Sequence, residues 1–126
     1  MRQGQGFSAL DKSIGLGELA RVEKTILAPH DCSTMAEVRA GVDQLDRELV
    51  GLLARRFAYM RAAARIKPDR SAVRDEERKA AVIAAASAAA HAAGLPASDI
   101  AVLWDHLVEA SIAYELEEWE RSRAAT

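Results

Sequence analysis

Apolar residues recur at intervals of three and four from Val42 through Leu45, Leu49, Leu52, Leu53, Phe57 and Met60. That is the period of an α-helix with one buried face. Ser33 and Thr34 are good N-cap residues, and Glu37 lies three after Thr34, as a capping box requires. No proline intervenes until Pro68, although Gly41 and Gly51 weaken the run locally. The pattern predicts a first helix from Thr34 to Lys67, a rod about 50 Å long. Pro68–Val73 reads as a short loop. A second helix is expected near Arg74, because RDEERKAAVIAAASAAAHAA is rich in good helix formers, and Gly94 and Pro96 end it. Ser98 or Asp99 should cap a third helix through IAVLWDHLVEASIAYELEEWERSR.

The expected architecture is all-α, with one long helix and two shorter ones. Residues 1–30 read as an extension of unassigned role: Gly4, Gly6, Gly15 and Gly17 break any early pattern, and Leu19–Leu27 allows one or two helical turns. Residues 31–126 form the helical domain. A domain of this size has a radius of gyration of about 13 Å, so the rod outgrows its two partner helices. Pairing with a second copy, antiparallel and intertwined, would cover its apolar face. The coiled-coil alternative lacks a clean heptad with charged flanks.

Composition narrows the function classes. With 17 basic and 19 acidic residues, no excess positive charge draws the whole protein onto nucleic acid. One cysteine, Cys32, excludes an intramolecular disulfide and a cysteine-based metal cluster, and His30, His91 and His106 are scattered. No apolar run approaches the ~18–20 residues of a membrane span, and the N-terminal segment lacks the features of a secretory signal. The expectation is a cytoplasmic protein with no metal, no membrane contact and no nucleic-acid partner.

Three cations punctuate the long helix. The 11-residue step from Arg56 to Lys67 places the two about 20° apart on the helix surface. The 17-residue step from Arg39 to Arg56 leaves Arg39 about 100° away and some 25 Å along the axis. Two cations can therefore serve one pocket, and the third must serve another. In a dimer, Arg39 of one chain can reach the pocket holding Arg56 and Lys67 of the other. Clustered buried cations call for an anion, and the arginine fork matches a carboxylate, so a small dicarboxylate is the expected ligand. As single surface charges, these residues would carry no such meaning.

Two further patterns accompany them. In VRDEER, Asp75 and Arg78 are i,i+3 neighbours at the start of the second helix, where an acid suits the helix N-terminus; a solvated ion pair would look the same. In EASIAYELEEW, Ser111 and Glu115 share one face with Val108, Ile112 and Trp119. Glu117, Glu118 and Glu120 are expected to face solvent.

Taken in order, the arginine and lysine spacing R-x16-R-x10-K, VRDEER and SIAYE resemble the all-helical chorismate mutases and their relatives the isochorismate pyruvate-lyases. The resemblance covers residues 31–123. The DCSTMAEVR opening and the RIK close of the first helix look like the lyase branch; VRDEER with Ser111 looks like the mutases. The resemblance implies an intertwined homodimer with two equivalent sites and no cofactor. Arg39 from one chain, with Arg56 and Arg78 from the other, would hold the two carboxylates of a chorismate-type substrate. Lys67 would donate to the ether oxygen of the breaking C–O bond, with Glu115 facing that oxygen from the other side. Asp75 and Ser111 would contact the ring-hydroxyl region and a carboxylate.

The leading expectation is a chorismate mutase, an isomerase of aromatic biosynthesis that converts chorismate to prephenate by a [3,3] rearrangement. Arginines would select the folded conformer, and Lys67 would stabilise charge developing on the ether oxygen. The alternatives are an isochorismate pyruvate-lyase, a 4-amino-4-deoxychorismate mutase, and a non-catalytic helical dimerisation module. Two positions depart from the mutase pattern. Lys79 follows Arg78 where many mutases carry a glutamate toward the ring hydroxyl. Glu115 stands where many carry glutamine, so it must hold a proton to donate, which predicts activity falling as pH rises.

Overall fold

The computed structural model describes residues 26–124. Among them there are three α-helices and no strand: α1 Met35–Ile66, α2 Glu76–Ala92 and α3 Ala97–Ala124, with single 3-10 turns at Pro29–Asp31 and Arg70–Ala72. The third helix, at 28 residues, is nearly as long as the 32-residue first, whereas the alanine-rich second has 17. No helix among the described residues is long and apolar enough to cross a membrane. The expectations for residues 1–25, including most of the Leu19–Leu27 segment, lie outside the described residues.

The chain divides into two compact units, Met1–Val50 and Gly51–Thr126. In the first, the helix start is built as its sequence dictates. Glu37 Oε1 accepts from the backbone N–H of Ser33 at 2.8 Å and of Thr34 at 3.0 Å, and Glu37 N–H donates back to Thr34 Oγ1 at 3.2 Å. These bonds close a capping box and satisfy amides that the first turn leaves open. They also hold the Glu37 carboxyl below its ordinary range, the Ser33 and Thr34 amides acting most strongly. Beyond the cap, Met35, Val42, Leu45 and Leu49 are about half exposed in the single chain. Such a row of exposed large apolar side chains is unfavourable in water.

The second unit holds the rest of α1 with α2 and α3. Val73, Val108 and Ile112 form its buried centre, with Val82, Ile83, Leu116 and Trp119 packed against them. Each fully buried side chain of this kind contributes about 1.5–3 kcal/mol. Much of α2 is alanine, which supplies helix propensity but little buried area. Two lateral anchors supplement it. Arg74 grips Glu109 of α3 with two nitrogens, at 2.7 and 3.0 Å, and Lys79 Nζ stands 2.6 Å from Glu109 and 3.1 Å from Asp105.

Helix ends differ from the expected ones by local chemistry. α2 starts after Asp75, whose Oδ1 accepts the Arg78 amide at 3.0 Å, so the helix begins two residues later than Arg74. α2 ends in a Schellman motif: Leu95 N–H bonds Ala90 O at 2.8 Å and Gly94 N–H bonds His91 O at 3.0 Å. Gly94 takes φ 77°, which its missing Cβ allows. α3 begins directly after Pro96, whose carbonyl accepts the Ile100 amide at 3.1 Å. Ser98 and Asp99 therefore lie inside the first turn rather than capping it.

Candidate active site

A cleft of about 370 Å³ opens in the second unit, within the size range of small-molecule sites. α1 and the residue just past its end supply Arg56, Met60, Ala63 and Lys67, spaced four, three and four residues apart; the Lys67 amide still bonds Ala63 O at 2.9 Å, so they form one stripe. The start of α2 supplies Asp75, Arg78 and Lys79, and α3 supplies Ser111 and Glu115. Of the residues singled out from sequence, Arg56, Lys67, Asp75, Arg78, Ser111 and Glu115 thus line one cavity. Arg39 lies in the first unit and is not among its lining residues.

Arg56 donates from Nη1 to Ser111 Oγ at 2.6 Å, and Ser111 donates in turn to the Leu107 carbonyl at 2.7 Å. The buried hydroxyl therefore has fixed polarity, with its lone pairs turned to the guanidinium. Burial lowers the Arg56 pKa, and the positive charge of Arg78 lowers it further. Among the described residues no carboxylate stands within ion-pair distance of Arg56 or Arg78. Two neighbouring guanidiniums without a counter-charge make an anion site.

Lys67 and Glu115 face each other across the cleft. Lys67 Nζ stands 2.7 Å from Glu115 Oε2, and Glu115 is 4% exposed. The approach is ion-pairing in distance, yet it lies outside hydrogen-bond geometry, and that oxygen has no directed partner. A group that bound between them would find one cation and one carboxyl group already aimed.

Other expectations are revised. Asp75 meets Arg78 through the Arg78 amide, as a cap, and not as a side-chain ion pair. Glu118 is not solvent-facing: its side chain is 15% exposed and it pairs with Arg121 at 2.7 Å. Lys79 lines the cleft, but Glu109 and Asp105 draw its ammonium and raise its pKa, Glu109 most strongly. The sequence reading missed Glu109, Trp119 and Arg123. The last two donate to backbone carbonyls of α1: Trp119 Nε1 to Lys67 O at 3.0 Å, and Arg123 to Ala64 O at 2.9 Å and Lys67 O at 2.8 Å. Donors to distant carbonyls leave no spacing signal.

Residues 38–116 match the model of chorismate mutase type II, a stretch that contains Arg39, Arg56, Lys67, Asp75, Arg78, Ser111 and Glu115. The chain belongs to that family. It is also 32% identical over 97 residues to the isochorismate pyruvate lyase of Pseudomonas aeruginosa, covering 77% of this chain and 96% of the relative. Membership of the family accounts for an all-helical fold around a pocket for a small-molecule substrate.

Proposed function

We propose that the cleft binds a chorismate-type dicarboxylate and catalyses a cofactor-free reaction that breaks its ether C–O bond. The observation that carries this reading is the pair of guanidiniums, Arg56 and Arg78, lacking carboxylate partners among the described residues, beside the opposed Lys67 and Glu115. Arg56 and Arg78 hold the carboxylates, and Arg39 of a second chain completes the set. The half-exposed apolar face of α1 supports that second chain. Lys67 donates to the ether oxygen as charge builds there, and Ser111 keeps the Arg56 fork aimed. Asp75 faces the ring hydroxyl.

Sequence reading placed rearrangement of chorismate to prephenate first. Two observations favour the elimination that turns isochorismate into salicylate and pyruvate. One is the lyase relative, matched over nearly its whole length. The other is Lys79, whose ammonium is turned to Glu109 and Asp105 and offers no acceptor to the hydroxyl of chorismate. In the elimination the ring loses a hydrogen and becomes aromatic, the enolpyruvyl methylene gains it, and the ether oxygen leaves as the pyruvate carbonyl. The pocket needs only to fold the arm over the ring and stabilise that oxygen. Rearrangement of chorismate remains the second reading, because the mutase family shares the same cations.

Purified protein should be given chorismate and isochorismate separately and the products identified by mass and absorbance. Salicylate with pyruvate from isochorismate supports the first reading, and prephenate from chorismate the second. Turnover of neither overturns both.

A further inference from the structure

We propose that Trp119 and Arg123, near the end of α3, are positioning residues that set Lys67 for the reaction. The proposal rests on the reading of the cleft as the active site. The final carbonyls of a helix have no partner within it, and at the end of α1 Pro68 cannot donate an N–H to help. α3 supplies the missing donors. Arg123 Nη1 bonds Ala64 O at 2.9 Å, where Ala64 is only 2% exposed. Lys67 O receives two bonds, from Trp119 Nε1 at 3.0 Å and from Arg123 Nη2 at 2.8 Å, which uses both of its lone pairs. The guanidinium lies 4.2 Å over the Trp119 ring, so each donor holds the other in place. A cation at this point also suits the negative end of the α1 dipole.

The arrangement has a simple order on α3. Glu115, Trp119 and Arg123 follow one another at intervals of four, so they form one slowly turning stripe. Glu115 meets the ammonium of Lys67 at 2.7 Å, and Trp119 and Arg123 meet its carbonyl. One stripe of one helix therefore grips Lys67 at both ends. A flexible four-carbon side chain held this way starts from a fixed backbone and ends at a fixed charge. Misplacing a reacting group by about 1 Å can reduce a rate by about a hundredfold.

The test uses Trp119→Phe, which keeps a ring but removes the N–H, and Arg123→Lys, which keeps the charge but loses the fork. Each should lower kcat between about tenfold and a hundredfold while KM stays within about twofold. Placed in a Lys67→Ala background, neither should change the residual rate, because the group they position is gone. A second readout does not depend on turnover. Acetylation of Lys67 by acetic anhydride, which leaves acetate, followed by peptide mass, should be faster in both folded variants than in the native protein. Native kcat together with native acylation rates in the folded variants would refute the proposal, as would equal losses with and without Lys67. If the native protein turns over neither substrate, the reading of the cleft fails, and the acylation rates alone decide whether the latch holds Lys67.

Discussion

Ser111 stands between Arg56 and the Leu107 carbonyl, accepting from the first at 2.6 Å and donating to the second at 2.7 Å. Its hydroxyl is committed on both sides, so it acts as a fixed bracket for a guanidinium that has no acid beside it. Ser111→Ala should leave the fold intact and release the Arg56 fork. KM for the dicarboxylate should rise about tenfold, equivalent to about 1.4 kcal/mol, with kcat changed much less. Steady-state kinetics checks this, and an unchanged KM would show that the substrate orients Arg56 without help.

Glu115→Gln replaces a carboxyl group, which donates only when it carries a proton, with an amide that always donates. It also removes the counter-charge facing Lys67. At neutral pH the variant should exceed the native enzyme in kcat/KM by about threefold to tenfold. Steady-state kinetics checks this, and an unchanged kcat/KM would show that the amide and the carboxyl group serve the ether oxygen equally.

The acid side of the stability profile should follow Glu109. Hydrogen bonds from Arg74, then from Lys79, lower its pKa to about 2 from the ordinary 4.5. A carboxyl group depressed by folding stabilises the fold at pH above its unfolded value, and that contribution disappears as pH falls through the folded one. Thermal melts should therefore lose stability between 4.5 and about 2. Glu109→Gln should melt lower than the native protein at neutral pH and converge with it at the acid end.

The proposed second chain can be tested by complementation. Arg39→Ala and Lys67→Ala should each be inactive, but mixing them under exchange should restore about a quarter of native activity. Half of randomly re-formed dimers are mixed, and one of their two sites is intact. No recovery in exchanged dimers would mean that Arg39 serves its own chain's site or none. Leu49→Glu, on the exposed face, should shift sedimentation toward the monomer and lower activity with it.

Much of the architecture was legible because it rests on local chemistry. Thr34 and Glu37 announce the start of α1, and Gly94 before Pro96 announces the end of α2, through rules that act within a few residues. The start of α3 lies two or three residues earlier than a Ser98 or Asp99 cap implies, because Pro96, with its fixed φ and no N–H to leave open, takes the N-cap place and its carbonyl begins the ladder at Ile100. Arg56 and Lys67 were legible as cavity partners because 11 residues nearly complete three turns. Lys79 was read as a substituted substrate contact, since its partners Glu109 and Asp105 sit on another helix. Trp119 and Arg123 were invisible for a deeper reason. Their acceptors are backbone carbonyls: Pro68 marks the Ala64 carbonyl as lacking its helical donor, but no spacing in the sequence says which side chain supplies one.

The chain as a whole bears a formal charge of −2, yet four cations and two carboxylates line the cleft. A doubly negative molecule approaching through dilute buffer meets the unfavourable far field before the favourable near one. Salt weakens the two unequally, because the ionic atmosphere shrinks to about 8 Å at physiological strength. The distant repulsion is then extinguished while the cations inside the cleft still act on a molecule at its mouth. For the proposed dicarboxylate, added salt should therefore first speed capture and then slow it, which kcat/KM measured against ionic strength would show.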